Sequence, residues 1–148
     1  MDQTAALHKL QQEEFDILKI VAQLCDESGI RWILDSGTAL GAARHGGFIP
    51  WDDDIDISMT RDQFELFLKA AKTKLPSGYS LLLFENTPGF GGFFAKVVKD
   101  GTEFINEESL ASGFKQGIFI DILVHDILSA DTKERNHQLR NASFWQKI

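Results

Sequence analysis

Four aspartates within five positions are the residues of this chain best placed to do chemistry: Asp52, Asp53, Asp54 and Asp56. Carboxylates this close repel one another, and an unscreened pair about 4 Å apart costs roughly 1 kcal/mol in water and more in a partly buried site. A hard divalent cation such as Mg²⁺, or alternatively Mn²⁺, relieves that repulsion through oxygen ligands. The segment therefore predicts a metal site.

The residues after Asp53 alternate between acidic or polar and apolar types, from Asp54 to Met59. This period of two predicts a strand with Asp54 and Asp56 on one face and Ile55 and Ile57 in the core. The two carboxylates are then separated by two rises of about 3.3 Å, so both can bind one ion or a close pair of ions. We predict Asp54 and Asp56 as metal ligands.

Asp121 interrupts the long apolar segment 117–124. A charge in such a segment requires an ionic partner, a metal ion or an exposed edge. If this segment is a strand beside Asp54 and Asp56, Asp121 completes a three-carboxylate metal site. A structural ion pair is the alternative for Asp121, and the sequence leaves it open.

A second group of residues suits an anion. Ser36-Gly37-Thr38 lies where a predicted strand meets a predicted helix, so its N–H groups and hydroxyl can face a phosphate with help from the helix dipole. Arg44, later in the same helix, is a candidate fixed positive charge, and His45 is a candidate phosphate contact. An anion site facing a metal site is what phosphoryl or nucleotidyl transfer requires.

The elements that position these residues predict an α/β (α+β) fold, a small mixed sheet flanked by helices. Apolar residues at three- and four-residue steps predict helices, and alternating or continuous apolar runs predict strands. Asp100-Gly101 is a hairpin signal between the segments 93–98 and 102–105. Helices are expected near 4–27, 39–44, 60–75 and 131–146, and strands near 31–34, 54–58, 79–84, 93–98 and 117–124.

Composition excludes several classes of protein. The net charge of -7 argues against nucleic-acid binding, which needs clustered basic residues. Cys25 is the only cysteine, which excludes an internal disulfide, and its apolar neighbours predict a buried side chain. The four histidines are too scattered for a zinc site, and no P-loop motif is present. No signal peptide and no membrane span are predicted, so we expect a cytoplasmic protein.

A calcium-binding EF-hand loop is a competing interpretation of the acidic segment. Oxygen-bearing side chains fill its ligand positions if the loop begins at Asp54. However, Met59 occupies the position that requires glycine for the sharp turn, and Ile55 and Ile57 demand burial. The pattern therefore favours the strand.

The stretch from Ser36 to Ile57, SGTALGAARHGGFIPWDDDIDI, closely resembles the signature of the LicD family, and fukutin and its relatives are similar. Further matches are Gly29-Ile30, Ala95-Lys96-Val97 with Gly101-Thr102, and the segment 117–122, so the resemblance covers about residues 20–127. It implies a nucleotidyltransferase fold. We therefore expect residues 1–148 to form a single LicD-type nucleotidyltransferase-like domain, truncated at its C terminus.

The resemblance also assigns roles. Gly37 and Thr38 match the family's phosphate-binding turn, Asp54 and Asp56 its metal pair, Asp121 its third acid, and Asp52 the first aspartate of the Asp-x-Asp-x-Asp form. One of these acids, Asp52 included, would deprotonate the acceptor, and Arg44 and Lys96 are candidate phosphate contacts.

The activity that the resemblance implies is a phosphotransferase reaction. Phosphocholine would pass from CDP-choline, or ribitol phosphate from CDP-ribitol, to a cell-surface glycan such as teichoic acid or lipopolysaccharide. Two alternatives remain: a nucleotidyltransferase that uses an NTP and a small acceptor, and a non-catalytic domain that binds metal or nucleotide.

Overall fold

A five-stranded mixed sheet organises the chain, whose computed structural model describes residues 3–92, 94–105 and 116–145. The strands are β1 (Ile33–Leu34), β2 (Asp56–Thr60), β3 (Tyr79–Leu82), β4 (Ala95–Lys99) and β5 (Phe119–His125). The helices are α1 (Gln3–Ser28), α2 (Ser36–His45), α3 (Arg61–Lys74) and α4 (Thr132–Trp145). The spatial order is β1-β2-β5-β4-β3, in which β2 and β5 run parallel and the other neighbours antiparallel.

The core lies on the sheet face that α1 and α3 cover. Ile57 of β2 and Ile122 of β5 are fully buried there against Ile17 of α1 and Phe67 of α3. Ile55 is buried as well. The alternation that predicted a strand with its isoleucines inward is therefore confirmed. Asp56 lies on the opposite face of β2.

The predicted mixed α/β architecture is confirmed, with the bounds of most elements shifted by one or two residues. Strand β2 begins at Asp56 and continues to Thr60, so Asp54 precedes it rather than opening it. Strand β1 is limited to Ile33–Leu34, and β3 ends at Leu82.

The predicted hairpin at Asp100-Gly101 is wrong. β4 pairs with β3 on one side and with β5 on the other, so neither edge is open to the segment 102–105. Among the residues that the structure describes, that segment instead contributes one bridge, between Phe104 and Gln116. The Thr102 hydroxyl donates to the Lys99 carbonyl at 2.6 Å and closes the turn after β4.

Three further sequence interpretations can be compared with this structure. The segment 56–60 is hydrogen-bonded into the sheet, which excludes the curved loop of an EF-hand. Cys25 is buried as predicted, and burial raises the pKa of its thiol to about 12, so it is not a ready nucleophile. None of the helices in the described ranges combines the length and apolarity that crossing a membrane demands. The cytoplasmic location stays a prediction.

Candidate active site

Three charged side chains form a row across the middle of the sheet. The strand register pairs Asp56 of β2 with Asp121 of β5, and Asp121 with Lys96 of β4. Paired residues on neighbouring strands point to the same face, and their strands lie about 4.8 Å apart. Asp56, Asp121 and Lys96 are therefore adjacent on the face opposite the buried Ile57 and Ile122.

Asp54 and Asp52 belong to the loop that enters β2. The Asp121 N–H donates to the Ile55 carbonyl at 2.9 Å, which continues the β2–β5 contact beyond the strand and holds Asp54 near β5. Gln11 of α1 donates its side-chain N–H to the Asp52 carbonyl at 2.8 Å. The loop is thus attached to both the sheet and the first helix.

The turn between β1 and α2 lies against this loop. The Asp56 N–H donates to the Thr38 hydroxyl oxygen at 2.9 Å, and the Asp35 N–H donates to the Asp56 carbonyl at 3.0 Å. A Cβ atom on Gly37 would lie 2.8 Å from a carboxylate oxygen of Asp52, so a larger residue there would require the Asp52 side chain to move. Gly37 and Thr38 therefore position Asp52 and Asp56, while their phosphate contact stays a prediction.

Ser36 adopts a backbone conformation that L residues avoid. Its φ angle is 47°, in the left-handed region, at an order-of-magnitude cost of about 1–2 kcal/mol for a residue with a Cβ atom. The preceding Asp35 accepts the Ser36 N–H at 2.7 Å, and its other oxygen lies 2.8 Å from His125 Nε2 at the end of β5. Backbone outliers held in this way are concentrated at functional sites.

The carboxylates perturb one another's ionisation. Burial raises the pKa of Asp54 to about 6, and the negative charges of Asp56, Asp52, Asp53 and Asp121 contribute further. Burial also raises the pKa of Asp56, although a hydrogen bond from Ser36 opposes the shift. The site therefore favours the binding of positive charge.

Glu14 of α1 is a buried acid under the electrostatic influence of the aspartates that the sequence reasoning missed. Only 1% of its surface is exposed, and burial, followed by the charges of Asp54, Asp53, Asp52 and Asp121, raises its pKa to about 9. Its Oε2 atom is buried without a hydrogen-bond partner. The periodicity of α1 could have predicted this burial. Gln11 and Glu14 follow the same three- and four-residue steps as Ile17 and Val21, so they lie on the buried face of the helix.

Lys96 neutralises part of this acidic group. Its ammonium lies 2.9 Å from an Asp121 carboxylate oxygen, with side-chain exposures of 8% and 16%, and 3.3 Å from the centroid of the Phe119 ring. The ion pair that the sequence left open for Asp121 is therefore present. Lys96 lies on the face that carries the aspartates, and its contact with a phosphate stays a prediction.

Arg44 and His45 lie at the other end of α2. Arg44 is about 12 Å along the helix axis from Ser36, given a rise of about 1.5 Å per residue. Both side chains are exposed, and Arg44 Nε donates to His45 Nε2 at 2.9 Å. Within the described ranges neither residue forms an ion pair with an aspartate, so the structure does not bring them to the carboxylates.

The residues can be compared with what a divalent cation needs. The oxygen chemistry fits, because Asp56 and Asp121 are register neighbours on β2 and β5, and Asp52 Oδ2 in the loop is buried without a hydrogen-bond partner. In the side-chain arrangement of residues 3–92, 94–105 and 116–145, however, no three His, Cys, Asp or Glu groups stand ready to hold one ion. Binding would require Asp54, Asp56 and Asp121 to rotate toward a common point.

A cavity of 680 Å³ adjoins the aspartate loop. It is lined by α1, α2 and the loop after α2, through His8, Gln11, Gln12, Phe15, Leu18, Leu34, Thr38, Ala42, Gly46, Gly47, Phe48 and Ile55. Gln11 and Thr38 line the cavity and also hold the aspartate loop. A largely apolar cavity with a few polar groups can accept the organic part of a ligand whose charged part faces the carboxylates.

Comparison with known proteins identifies relatives of this site. A lipopolysaccharide cholinephosphotransferase LicD of Haemophilus influenzae is 35% identical over 112 residues, which cover 75% of this chain and 41% of that protein. An uncharacterised protein of Rickettsia prowazekii is 42% identical over 53 residues, or 35% of this chain and 20% of that protein. The ribitol 5-phosphate transferase FKRP of Mus musculus is 44% identical over 41 residues, or 28% of this chain and 8% of that protein.

The family comparison covers both the turn and the carboxylates. The profile described as LicD/FKTN/FKRP, nucleotidyltransferase domain, matches residues 29–123, which include the turn at Ser36, the aspartate loop and Asp121. The chain spans 41% of the length of the Haemophilus relative. With the family profile matching most of its length, the chain belongs to the LicD family.

Proposed function

We propose that this domain transfers a phospho-alcohol, most specifically phosphocholine, from a CDP-activated donor to a hydroxyl group of a cell-surface glycan, with Mg²⁺ or Mn²⁺ as cofactor. The observation that carries the proposal is the register of β2 and β5, which makes Asp56 and Asp121 direct neighbours on one face. The names of the LicD and FKRP relatives, a cholinephosphotransferase and a ribitol 5-phosphate transferase, support this class of reaction.

In this proposal each residue acts from its place in the fold. Asp54, Asp56 and Asp121 hold the cation, which when bound would neutralise charge on the donor's diphosphate. Lys96, adjacent to Asp121, adds a fixed positive charge on the same face. The Ser36-Gly37-Thr38 turn orients Asp56 and presents the N-terminal end of α2 to a phosphate.

The proposed step is an in-line substitution at the phosphorus atom of the phospho-alcohol. The acceptor oxygen forms the new P–O bond, and the bond to CMP breaks, with CMP leaving with the electron pair. The hydroxyl proton passes to one of the carboxylates, and Asp52 is the candidate outside the three cation ligands. Positioning and charge neutralisation, rather than covalent catalysis, supply the acceleration.

The acceptor is proposed by class only. The Haemophilus relative is named for lipopolysaccharide, which favours a lipopolysaccharide-type glycan over teichoic acid. The cavity beside Gln11 and Thr38 is the proposed location for the organic part of the donor.

The test is release of CMP from CDP-choline in the presence of Mg²⁺ and a lipopolysaccharide acceptor. We expect Asp56→Asn to reduce turnover by at least about 100-fold, because it removes a carboxylate that holds the proposed cation. The exposed Asp26→Asn, on the far half of α1, is the control and should retain full turnover. Full turnover by Asp56→Asn would refute the proposal, provided that circular dichroism shows both variants folded.

A donor screen separates the proposed reaction from its alternatives. Calorimetry with CDP-choline, CDP-ribitol and CTP, each with and without Mg²⁺, should show metal-dependent binding of a CDP-alcohol. Pyrophosphate release from CTP would instead indicate a nucleotidyltransferase. Binding without any turnover would indicate a non-catalytic domain.

A further inference from the structure

The carboxylate of Asp35 links the turn before α2 to the end of β5. One of its oxygens accepts the Ser36 N–H at 2.7 Å, and the other lies 2.8 Å from His125 Nε2. We propose that Asp35 and His125 are positioning residues of the transferase site, a pair that holds the Ser36 turn in place and, through the turn, Asp56. The effect on catalysis rests on the proposed function, whereas the restraint on Asp56 does not.

The turn controls Asp56 because it bonds both polar groups of that residue's main chain. The Asp56 N–H donates to the Thr38 hydroxyl oxygen at 2.9 Å, and the Asp56 carbonyl accepts from the Asp35 N–H at 3.0 Å. The neighbouring carbonyl, that of Ile55, faces the other way and accepts the Asp121 N–H of β5. A displaced turn would therefore displace Asp56 relative to β5.

The backbone of the turn needs a restraint. Ser36, with a φ of 47°, is the one non-glycine residue in the described ranges with a positive φ, a conformation that a Cβ atom disfavours. Such a conformation persists only where surrounding contacts hold it. Asp35 supplies one of these contacts, and His125 fixes the orientation of the Asp35 carboxylate. Because a carboxylate only accepts hydrogen bonds, Nε2 of the ring carries the proton and donates.

His125 is itself fixed to the strand that presents Asp121. Both residues belong to β5 and, four positions apart, point to the same face of the strand. The next residue, Asp126, accepts a hydrogen bond of 2.8 Å from Nη2 of Arg61, which follows β2, so the ends of the two strands are joined. The pair therefore couples the carboxylate on β5 to the turn that positions Asp56.

The pair is too exposed to contribute much to the stability of the fold. The His125 side chain is 60% exposed and that of Asp35 27%. Exposed ion pairs contribute little to the free energy of unfolding, because water screens the charges. A variant without the pair should therefore fold, and its defect should be local to the turn. A misplacement of about 1 Å at a reacting group is enough to reduce turnover by about 100-fold.

The first test is amide hydrogen exchange, measured by NMR in the His125→Ala variant. We expect the Ser36 and Asp56 amides, whose acceptors lie in the turn, to exchange at least about fivefold faster than in the wild type. The Ile57 amide of the same strand should keep the wild-type rate, because the core of the sheet is unaffected. His137→Ala, at an exposed position of α4, is the matched control and should change none of these rates.

The second test is the rate of CMP release from CDP-choline. We expect His125→Ala to lower kcat by at least about tenfold while the KM for CDP-choline stays within about threefold, because the variant displaces Asp56 without removing a group that contacts the donor. His125→Gln should recover kcat to within about threefold of the wild type, since its amide N–H can still donate to Asp35. His137→Ala should retain the wild-type kcat.

The two proposals fail separately. Wild-type exchange rates of the Ser36 and Asp56 amides in His125→Ala would overturn the restraint. A wild-type kcat in that variant, or a rise in KM alone, would overturn the positioning role and leave the proposed transfer intact. If the wild-type chain releases no CMP while the exchange rates of the variant rise as expected, the proposed function is wrong and the restraint on Asp56 stands.

Discussion

At the scale of single residues, Asp121 has two neighbours with opposite effects. Asp56 is its register partner on β2 and repels it, whereas Lys96 on β4 pairs with it at 2.9 Å. Because this ion pair is largely buried, removal of one partner leaves an uncompensated charge in a poorly solvated place. The ion pair and the proposed cation therefore compete for the same carboxylate.

The substitution Lys96→Met is expected to destabilise the cation-free protein by about 3 kcal/mol, because it removes one member of a largely buried ion pair. Urea unfolding in EDTA measures this change. The exposed Lys72→Met should change stability by less than about 0.5 kcal/mol. The double variant Lys96→Met/Asp121→Asn should recover most of the loss. A loss below about 1 kcal/mol for Lys96→Met would contradict the importance of the pair.

At the scale of elements, α2 and the loop after it set the position of the aspartates. The helix begins at the Ser36 turn and ends at Gly46, whose φ of 68° is the left-handed conformation that favours glycine. The returning loop then passes over Gly41, where a Cβ atom would lie 2.5 Å from the Gly47 carbonyl oxygen and 2.9 Å from the Ile49 nitrogen. This close approach brings the chain back from the end of α2 to Asp52.

Helix propensity and packing make opposite predictions for Gly41→Ala. Propensity alone would stabilise a helix by about 1 kcal/mol, whereas the clash with backbone atoms should destabilise the protein by about 2 kcal/mol. We expect the clash to dominate, because the backbone of the loop cannot move away as a side chain can. Gly47→Ala is the control: its Cβ atom would meet nothing within 4 Å, so its free energy of unfolding should barely change. A stabilised Gly41→Ala would contradict the described loop.

At the scale of the whole molecule, the net charge is -7, and three of the acids have a pKa above its ordinary value. The pKa of Glu14 is raised to about 9 and that of Asp54 to about 6, and that of Asp56 is raised as well. Groups with a raised pKa bind more protons in the folded than in the unfolded state, so stability falls as pH rises through this range. Asp35 and Asp126, whose pKa values are lowered by His125 and Arg61 respectively, contribute the opposite slope only in more acidic solution.

Without divalent cations, we therefore expect the free energy of unfolding to decrease between pH 4.5 and pH 9. Asp54 contributes as the pH rises through about 6 and Glu14 as it rises through about 9, and the raised pKa of Asp56 contributes with the same sign. Urea unfolding in EDTA at several pH values measures the slope. Glu14→Gln should flatten the upper part of the curve, and saturating Mg²⁺ should restore stability at high pH if the site binds it. Stability that rises across this range in EDTA would show the described burial to be incorrect.

Local patterns in the sequence determined much of this protein. Alternation from Asp54 to Met59 required Ile55 and Ile57 inward and the acids outward, because side chains in a strand alternate between faces. The same reasoning placed the helices, whose apolar steps have the period of an α-helix. The short stretch from Ser36 to Ile57 was enough to indicate the family, since its acids, glycines and turn lie close together in the chain.

Only the tertiary structure decided which distant segments meet. Strand register, which makes Asp56, Asp121 and Lys96 neighbours, depends on packing across the whole sheet and has no local signal. The segment 102–105 does not pair with β4 as the hairpin prediction required, because β3 and β5 already occupy both edges of β4. Glu14 comes under the electrostatic influence of the aspartates only because α1 packs against a loop some forty residues away. Tertiary packing, rather than the adjacent residues in the sequence, determines the spatial neighbours of Glu14.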